Sequence, residues 1–185
     1  PIIEVRTAAA YALGQIGNLE TVDPLMNAFV NKDTSDVDNV FNSTILEAIG
    51  KTGNKSLLDA LASVESYRIT DTLLLLGQSR AIYRYANRGI NTQKGTNRMV
   101  ELASNQAYPN EVRVIAANYL ARAKDIDISK SQFRIAEALI GASDPNVRMA
   151  IALALRKVTE PDILKILQSQ FIVEKDYRVK VNILK

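Results

Sequence analysis

The stretch VRTAAAYALGQIGN, residues 5–18, decides the fold because its pattern returns along the chain. Counted from Val5, small or apolar residues fall at offsets 0, 3, 4, 7, 8 and 11. Those offsets form one continuous face of an α-helix. The stretch FNSTILEAIGKTGN, residues 41–54, is a weaker copy with the same Gly-Asn ending, and further copies start at Val112, Val147 and Tyr177. The sequence therefore predicts one helix that recurs.

The spacing of these copies predicts how the helices are organised. Successive starts lie 36 (5 to 41), 71 (41 to 112), 35 (112 to 147) and 30 (147 to 177) residues apart. Because 71 is about twice 35, an altered unit is expected between residues 55 and 111. Each copy is followed by a second apolar segment, and a period in the mid-thirties is typical of stacked helical hairpins. We expect an all-α fold, an α-solenoid coiled as a right-handed superhelix, with about five to six hairpins.

The hairpins are predicted to form one domain over residues 1–185, with the third unit irregular. In that unit, residues 69–90 have helical periodicity out of register with the other copies. Residues 87–97 are predicted as a polar loop, and a helix resumes over residues 98–104. The chain starts without Met inside one repeat, so we expect it to be part of a longer protein. The predicted units are 1–32, 33–66, 67–106, 107–142, 143–173 and a truncated 174–185.

Composition limits the chemistry that the chain can carry. It has 185 residues and neither Cys nor His, which excludes disulfides, zinc sites built on thiolate or imidazole, and Ser-His or Cys-His nucleophile pairs. We therefore predict no cofactor, no metal site and no catalytic residues. The net charge of +3 permits a nucleic-acid partner without requiring one. The longest uncharged stretch, between Arg6 and Glu20, is shorter than the roughly 20 residues of a membrane span.

Several local signals predict where helices begin and end. Gly17-Asn18 and Gly53-Asn54 suit helix ends that require a left-handed residue. Asp144 before Pro145 indicates an N-cap followed by the first residue of a helix, and Pro161 suits the first turn of another. Three carboxylates ahead of the second unit are predicted to cap its helix rather than to bind calcium. They are Asp33, Asp36 and Asp38.

The repeated helix resembles the first helix of HEAT-type repeats, most closely the short bacterial subtype also called PBS-lyase-like. Members of that subtype carry Asp-x-x-Val-Arg followed by Ala-rich helix. Asp144, Val147 and Arg148 match this motif, and Val-Arg pairs recur at residues 5–6 and 112–113. Asn42 stands where the second unit would have the arginine. The resemblance covers most of the chain except about residues 69–104.

The motif is specific for architecture, and the function follows from the stacking. Stacked hairpins form an extended superhelix with one concave surface, lined by the second helices, which suits a macromolecule better than a small substrate. We therefore expect a protein-interaction scaffold with a protein partner. The name of the subtype adds an enzymatic alternative, a bilin lyase-type protein. Similar arrays in bacterial proteins are fused to cyclophilin-type peptidyl-prolyl isomerases, so such an enzyme is one expected context for the parent chain.

Recurring arginines occupy the position after the start of four copies. Each guanidinium is predicted to bond a carbonyl or an acid of the neighbouring repeat, since arginine makes forked, multi-donor contacts. A positive stripe along the array is the alternative. These structural repeat positions are Arg6, Arg113, Arg148 and Arg178.

A basic segment in the middle of the chain is the sharpest candidate binding site. No acidic residue lies between Asp71 and Glu101, while five cations and two tyrosines do. Cations could contact phosphates and tyrosines could stack on bases, so nucleic-acid binding is one reading and an acidic protein partner is another. A solvated flank without a binding role is the third. The candidate residues are Arg80, Tyr83, Arg84, Arg88, Lys94 and Arg98.

Overall fold

The computed structural model describes residues 2–30 and 35–185, and within them it contains eleven α-helices and no strand. Short 3-10 turns at Leu19–Thr21 and Ser129–Ser131 precede α2 and α8. The α-helices are α1 Ile3–Ile16, α2 Val22–Ala28, α3 Asp36–Thr52, α4 Lys55–Ala62, α5 Thr72–Asn87, α6 Gln93–Ser104, α7 Asn110–Arg122, α8 Gln132–Gly141, α9 Pro145–Leu155, α10 Pro161–Val173 and α11 Tyr177–Leu184.

The helices alternate between two roles, which we call first helices (odd numbers) and second helices (even numbers). The chain divides into two compact units, residues up to Gly95 and residues from Thr96. In the first unit α1 packs on α3 and α3 on α5; in the second, α7 packs on α9 and α9 on α11. First helices therefore stack in chain order within each unit. This arrangement confirms the predicted all-α, solenoid-type fold of HEAT-like hairpins.

The repeated apolar pattern marks the core where a first helix has neighbours on both sides. In α9, which packs between α7 and α11, Val147, Ile151 and Leu155 are buried. In α1, whose extensive contact is with α3, the outcome differs. Val5 and Ile16 lie on the repeated apolar face, which in an amphipathic helix packs on the core, yet they are 59% and 68% exposed. Helix α1 buries Ala10 and Gly14.

Glycines set how closely the first helices of the first unit approach. A Cβ on Gly14 would come within 2.8 Å of Ala48 Cα and Cβ, and one on Gly50 within 2.5 Å of Ala81 Cα and O. A Cβ on Gly77 would come within 2.8 Å of Ser43 Cα. Backbone atoms of neighbouring helices thus touch where these glycines lie.

The predicted helix ends are confirmed in most places and wrong in one. Gly17 ends α1 in the left-handed region, with φ of 72°, and Asp144 caps α9 through the amide of Asn146. Gly53 has φ of −69°, so it is not left-handed. A Cβ at Gly53 would collide with the Tyr85 hydroxyl, which explains the glycine by space rather than by handedness. The following Asn54 caps α4 by accepting from the amide of Leu57.

The loop predicted over residues 87–97 is shorter than expected. Helix α6 begins at Gln93, five residues before the predicted start at 98. The reason is a cap that the polar composition concealed, since Thr92 Oγ1 accepts from the amide of Gly95 at 3.0 Å. Ahead of α3, Ser35 and Asp38 form a capping box, as the carboxylate cluster predicts. Asp33 and the predicted unit boundary at 32/33 lie outside the described residues.

Candidate functional site

An apolar groove separates second helices α2 and α4 in the first unit, and we call it the α2–α4 groove. Its volume is about 380 Å³. Its floor reaches Leu46 and Ile49 of α3, which are core side chains otherwise buried. No charged side chain is among the described residues that line it. They are Met26, Phe29, Leu46, Ile49, Leu57, Ala60, Leu61, Val64, Ser66 and Tyr67.

Two buried amide side chains hold the walls of this groove. Asn42 bonds both backbone groups of Val30, accepting from its N–H and donating to its carbonyl, each at 2.9 Å. Gln78 donates to the carbonyls of Leu61 and Val64 at 2.9 and 2.8 Å. Asn42 and Gln78 are at most 1% exposed, so breaking these bonds would leave buried polar groups unpaired. The C-terminal ends of α2 and α4 are therefore fixed by these hydrogen bonds to the first helices α3 and α5.

The segments that form the groove carry mostly negative charge. Asp23 lies one turn before Met26 on α2, and Glu65 lies between the lining residues Val64 and Ser66; both carboxylates are exposed. Across residues 19–30 and 55–67 there are four acidic residues and one basic residue. They are Glu20, Asp23, Asp59, Glu65 and Lys55. An uncharged groove with an acidic rim is the result.

The second unit exposes apolar side chains on two second helices that pack together, α8 and α10. Phe133 and Ile140 lie two turns apart on α8, and Leu164 and Ile172 lie two turns apart on α10. Their exposures range from 48% to 77%. By contrast, α7 and α9, which are described in full, expose no large apolar side chain. We call these four residues the α8–α10 stripe.

The recurring Arg148 joins two consecutive hairpins. Its Nε and Nη2 donate to the two carboxylate oxygens of Glu174 at 2.8 and 2.9 Å, and its Nη1 donates to the carbonyls of Ala142 and Ser143. The Arg148 bond, then backbone donors and Gln170, hold the pKa of Glu174 down at about 2, although burial opposes the shift. The predicted forked contact with a neighbouring repeat is found at this position.

The other recurring arginines make different contacts. Arg6 donates to the Ala28 carbonyl at 3.4 Å and lies 4.3 Å from the centre of the Phe41 ring in the next first helix. Arg113 donates to Ala103 O and Asn110 Oδ1, both at 3.3 Å. Arg178 pairs with Asp176 in its own first turn, at 2.7 Å. Each of these arginines contacts its own hairpin or a neighbouring one. At the equivalent position of the second unit, the side-chain amide of Asn42 makes the hydrogen bonds in place of a guanidinium.

The candidate cations of the basic segment differ in the hydrogen bonds and ion pairs that they make. Arg84 pairs with Glu47 of α3 at 2.8 Å, and Arg88 donates to the carbonyls of Gly50 and Gly53 at the end of α3. Arg98 is 3% exposed and pairs with Glu101 at 2.7 Å. The expectation of five cations without counter-charges is therefore wrong for Arg84 and Arg98, because Glu47 and Glu101 supply them.

The remaining members of the basic segment are more accessible. Arg80 and Lys94 are exposed, and Tyr83, which belongs to the same helix as Arg80, is half-buried. Helix α5 ends at Asn87 and α6 begins at Gln93, so Arg80 and Lys94 lie on different helices of the hairpin. The structure brings Arg84 and Arg88 onto α3 and leaves Arg80 and Lys94 facing solvent.

The described residues contain no group of three or more acidic side chains placed to hold a metal ion. Within the same ranges, no helix has the length and apolar character needed to cross a membrane.

The groove and the stripe were not predicted from the sequence, although signals for them exist. Gln78 stood on the apolar face of α5, where a polar residue indicates a buried hydrogen bond. Phe133 and Ile140 fall seven residues apart and so share a helix face that the repeat pattern does not need. Only their burial distinguishes exposed apolar side chains of this kind from core side chains, and burial cannot be determined from one sequence.

A family model described as the PBS lyase HEAT-like repeat matches residues 5–31, which cover α1 and α2. No curated protein matches the chain. The match falls on the hairpin whose first helix opens the repeated pattern. The pattern returns in α3, α7, α9 and α11, and the first helices stack in chain order within each unit. The match shows a HEAT-like repeat over residues 5–31, and the stacked helical hairpins of the rest of the described chain are similar in kind to it.

Proposed function

We propose that this chain is a non-catalytic scaffold that binds other proteins through its second helices. The observation that carries the proposal is the α8–α10 stripe. Isolated exposed apolar side chains are normal on protein surfaces and need no explanation. Here four large ones lie on two helices that pack together, and groups of exposed apolar side chains mark surfaces where proteins associate.

The contrast between two neighbouring first helices and their second helices supports this assignment. In the second unit α7 and α9, both described in full, expose no large apolar side chain, whereas α8 and α10 expose the four of the stripe, and among the first helices of this unit α11 does expose such side chains. A stacked array is stabilised by its hairpin interfaces, so its second helices are free to vary for recognition. Apolar anchors on rigid helices bind with little loss of conformational entropy.

Affinity capture with two matched variants tests the proposal. Phe133→Asp with Leu164→Asp places two charges on the stripe, at positions already exposed, so folding should be retained. Asn146→Asp with Thr159→Asp adds the same charges at exposed positions outside it. We expect proteins captured by the unchanged chain and by the control pair to be lost with the stripe pair. Identical captured sets for all three, at equal helical circular dichroism, would contradict the proposal.

Nucleic-acid binding through the basic segment has less support. Arg84, Arg88 and Arg98 already donate to protein acceptors. Arg98 is buried, while Arg84 and Arg88 are exposed, as Arg80 and Lys94 are. A gel shift with generic duplex at low salt tests this alternative. Binding that falls steeply with salt and is lost in Arg80→Glu with Lys94→Glu would favour it over the scaffold.

The name of the matched family suggests an enzymatic alternative, since it refers to a lyase. Incubation of the chain with a bilin and an acceptor subunit tests that activity directly. Covalent attachment dependent on the chain would replace the scaffold by a lyase-type function. A peptidyl-prolyl isomerase in the parent protein is a further proposal from the resemblance, and the neighbouring sequence of that protein would decide it.

A further inference from the structure

We propose that the α2–α4 groove binds a short peptide segment that presents apolar anchor side chains flanked by Lys or Arg. This inference rests on the proposed scaffold function and adds to it a second site in the other unit, with a stated partner chemistry. It is argued from the lining, the walls, the size and the charge of the groove.

The lining favours apolar anchors. Leu46 and Ile49, two side chains of the α3 core, form the floor of the groove and are 5% and 1% exposed. Met26 on its α2 wall is 47% exposed. Covering this surface would remove apolar area from water, the main favourable contribution to association. A charged anchor would lose its hydration there without meeting a counter-charge.

The walls favour a groove that exists before the partner arrives. Asn42 fixes the backbone of Val30, next to the lining residue Phe29. Gln78 fixes Leu61 and Val64, two lining residues at the end of α4. The two walls also pack on the first helices of their unit, α2 on α3 and α4 on α5. In the second unit, by contrast, the second helices α8 and α10 pack on each other. Because the walls are fixed, little conformational entropy is lost when the groove is filled.

The size favours side-chain anchors over a folded domain. A volume of about 380 Å³ is near the lower end of ligand pockets, which run from about 300 to 1,000 Å³. One or two large apolar side chains fill such a space. Peptides that insert a few spaced anchors into a helical groove use the same arrangement.

The negative charge at the groove rim favours basic residues on either side of the apolar anchors of the peptide. Asp23 and Glu65 are exposed beside the lining residues, and residues 19–30 and 55–67 carry four acids against the single base Lys55. The exposed Arg68 that follows the lining residue Tyr67 forms an ion pair with Asp71 at 3.1 Å, so it does not offset this acidic excess. Complementary charge at a rim speeds association and rejects partners of like charge. A peptide with basic flanks is therefore favoured over the same peptide with acidic flanks.

Fluorescence anisotropy with labelled peptides tests the inference. The probe has two Leu anchors one helical turn apart and Lys on both sides; one control replaces Lys by Glu, and another replaces Leu by Ser. We expect the Lys–Leu probe to bind at least about tenfold more tightly than either control at low salt. Added salt should weaken its binding without abolishing it. Equal binding of all three peptides, or none, would overturn the proposal.

Two tryptophan variants locate the binding. Ala60 is exposed and lines the groove, so Ala60→Trp fills the groove without entering the core. Asn27→Trp places the same side chain at an exposed α2 position outside the lining. We expect Ala60→Trp to raise the dissociation constant about tenfold or more and Asn27→Trp to leave it unchanged. If Ala60→Trp binds as well as the unchanged chain, the peptide lies elsewhere and the proposal fails.

Charge variants and oligomeric state complete the test. Asp23→Lys with Glu65→Lys should lower affinity for the Lys–Leu probe and raise it for the Glu-flanked control. Sedimentation velocity shows whether the chain dimerises. If it does, and Ala60→Trp abolishes the dimer, the groove binds a second copy of the chain and the peptide proposal is overturned. Capture that depends on the α8–α10 stripe is read separately, so either proposal can fail alone.

Discussion

Arg148 and Glu174 connect two consecutive hairpins of the second unit by a two-pronged ion pair. The Glu174 side chain is 2% exposed and also accepts from the backbone amides of Lys175 and Asp176. A carboxylate held by several donors strongly favours its charged form. The pair therefore makes the hairpin junction sensitive to acid.

Glu174→Gln tests this sensitivity through the pH dependence of stability. The pKa of Glu174 is about 2 in the folded chain, against an ordinary value of 4.5. Because the folded pKa is depressed, the stabilisation is complete above pH 4.5 and is lost as pH falls toward 2. We expect Glu174→Gln to lower the free energy of unfolding by about 2 to 3 kcal/mol at pH 7. Urea titrations should show this difference shrinking toward zero near pH 2; a constant difference would contradict the assignment.

Arg113 occupies the same repeat position as Arg148 without a carboxylate bonded to it. It is 2% exposed, its Nη2 has no hydrogen-bond partner in the described residues, and burial lowers its pKa. Removing one member of a buried pair leaves the other charge uncompensated. Replacing an arginine that bonds no carboxylate leaves no such buried charge behind. The two arginines should therefore respond differently to one substitution.

Methionine at each position measures this difference. We expect Arg148→Met to cost about 3 kcal/mol of unfolding free energy, because Glu174 stays buried without its partner. Arg113→Met should stay within about 1 kcal/mol of the unchanged chain, since it gives up only two long hydrogen bonds. If urea unfolding shows equal losses of unfolding free energy for the two variants, the shared position in the repeat matters more than the carboxylate partner.

At the scale of the helices, the stacking of α1, α3 and α5 depends on backbone contact at glycines. Gly50→Ala would bring a Cβ within 2.5 Å of the Ala81 Cα and carbonyl oxygen, which cannot move aside as a side-chain end can. We expect a loss of about 1 to 3 kcal/mol in unfolding free energy, as for other overpacked cores. Thermal unfolding measured by circular dichroism checks it.

Gly141→Ala is the matched control for this prediction. It lies at the end of α8, and its added Cβ would meet the side-chain amide of the exposed Gln106, which can rotate away. Alanine is also the better helix former, by roughly 0.5 to 1 kcal/mol. A stability close to that of the unchanged chain is expected. A loss equal to that of Gly50→Ala would rule out backbone contact as the cause.

The first helices were predictable because each repeats the same apolar offsets. Helices α7 and α9 bury that face as expected, with Val112 and Val147 both fully covered. In α1 the same offsets leave Val5 exposed, because burial depends on which neighbour covers the face and not on the face itself. Gly53 was misread for a similar reason, since the Tyr85 hydroxyl that requires it lies on another helix.

The candidate sites were less predictable than the fold. Counting cations between Asp71 and Glu101 found the basic segment but not Glu47, which is 37 positions from Arg84 and pairs with it. The α2–α4 groove depends on Asn42 and Gln78, whose hydrogen bonds reach across hairpins. Local periodicity carries no information on such contacts, so sequence patterns identify elements better than surfaces.

At the scale of the whole molecule, the chain forms two compact units with the division at Gly95 and Thr96. Each unit stacks its own first helices and so has its own core. In stacked repeats the stability is close to a sum of units and nearest-neighbour interfaces, which allows parts of the array to open separately. Local damage to one core should therefore unfold its own unit first.

Leu155→Asp tests this separation. Leu155 is 1% exposed in α9, so the substitution buries an unpaired carboxylate, which costs more than about 4 kcal/mol. In hydrogen exchange measured by mass spectrometry, we expect α7 to α11 to lose protection while α1 and α3 keep theirs. Leu164→Asp, at a position 58% exposed on α10, adds the same charge and should leave protection intact. Loss of protection in α3 as well would mean that both units unfold together. Full protection in α9 would mean that Leu155 is not part of the core that holds the hairpins in their stack.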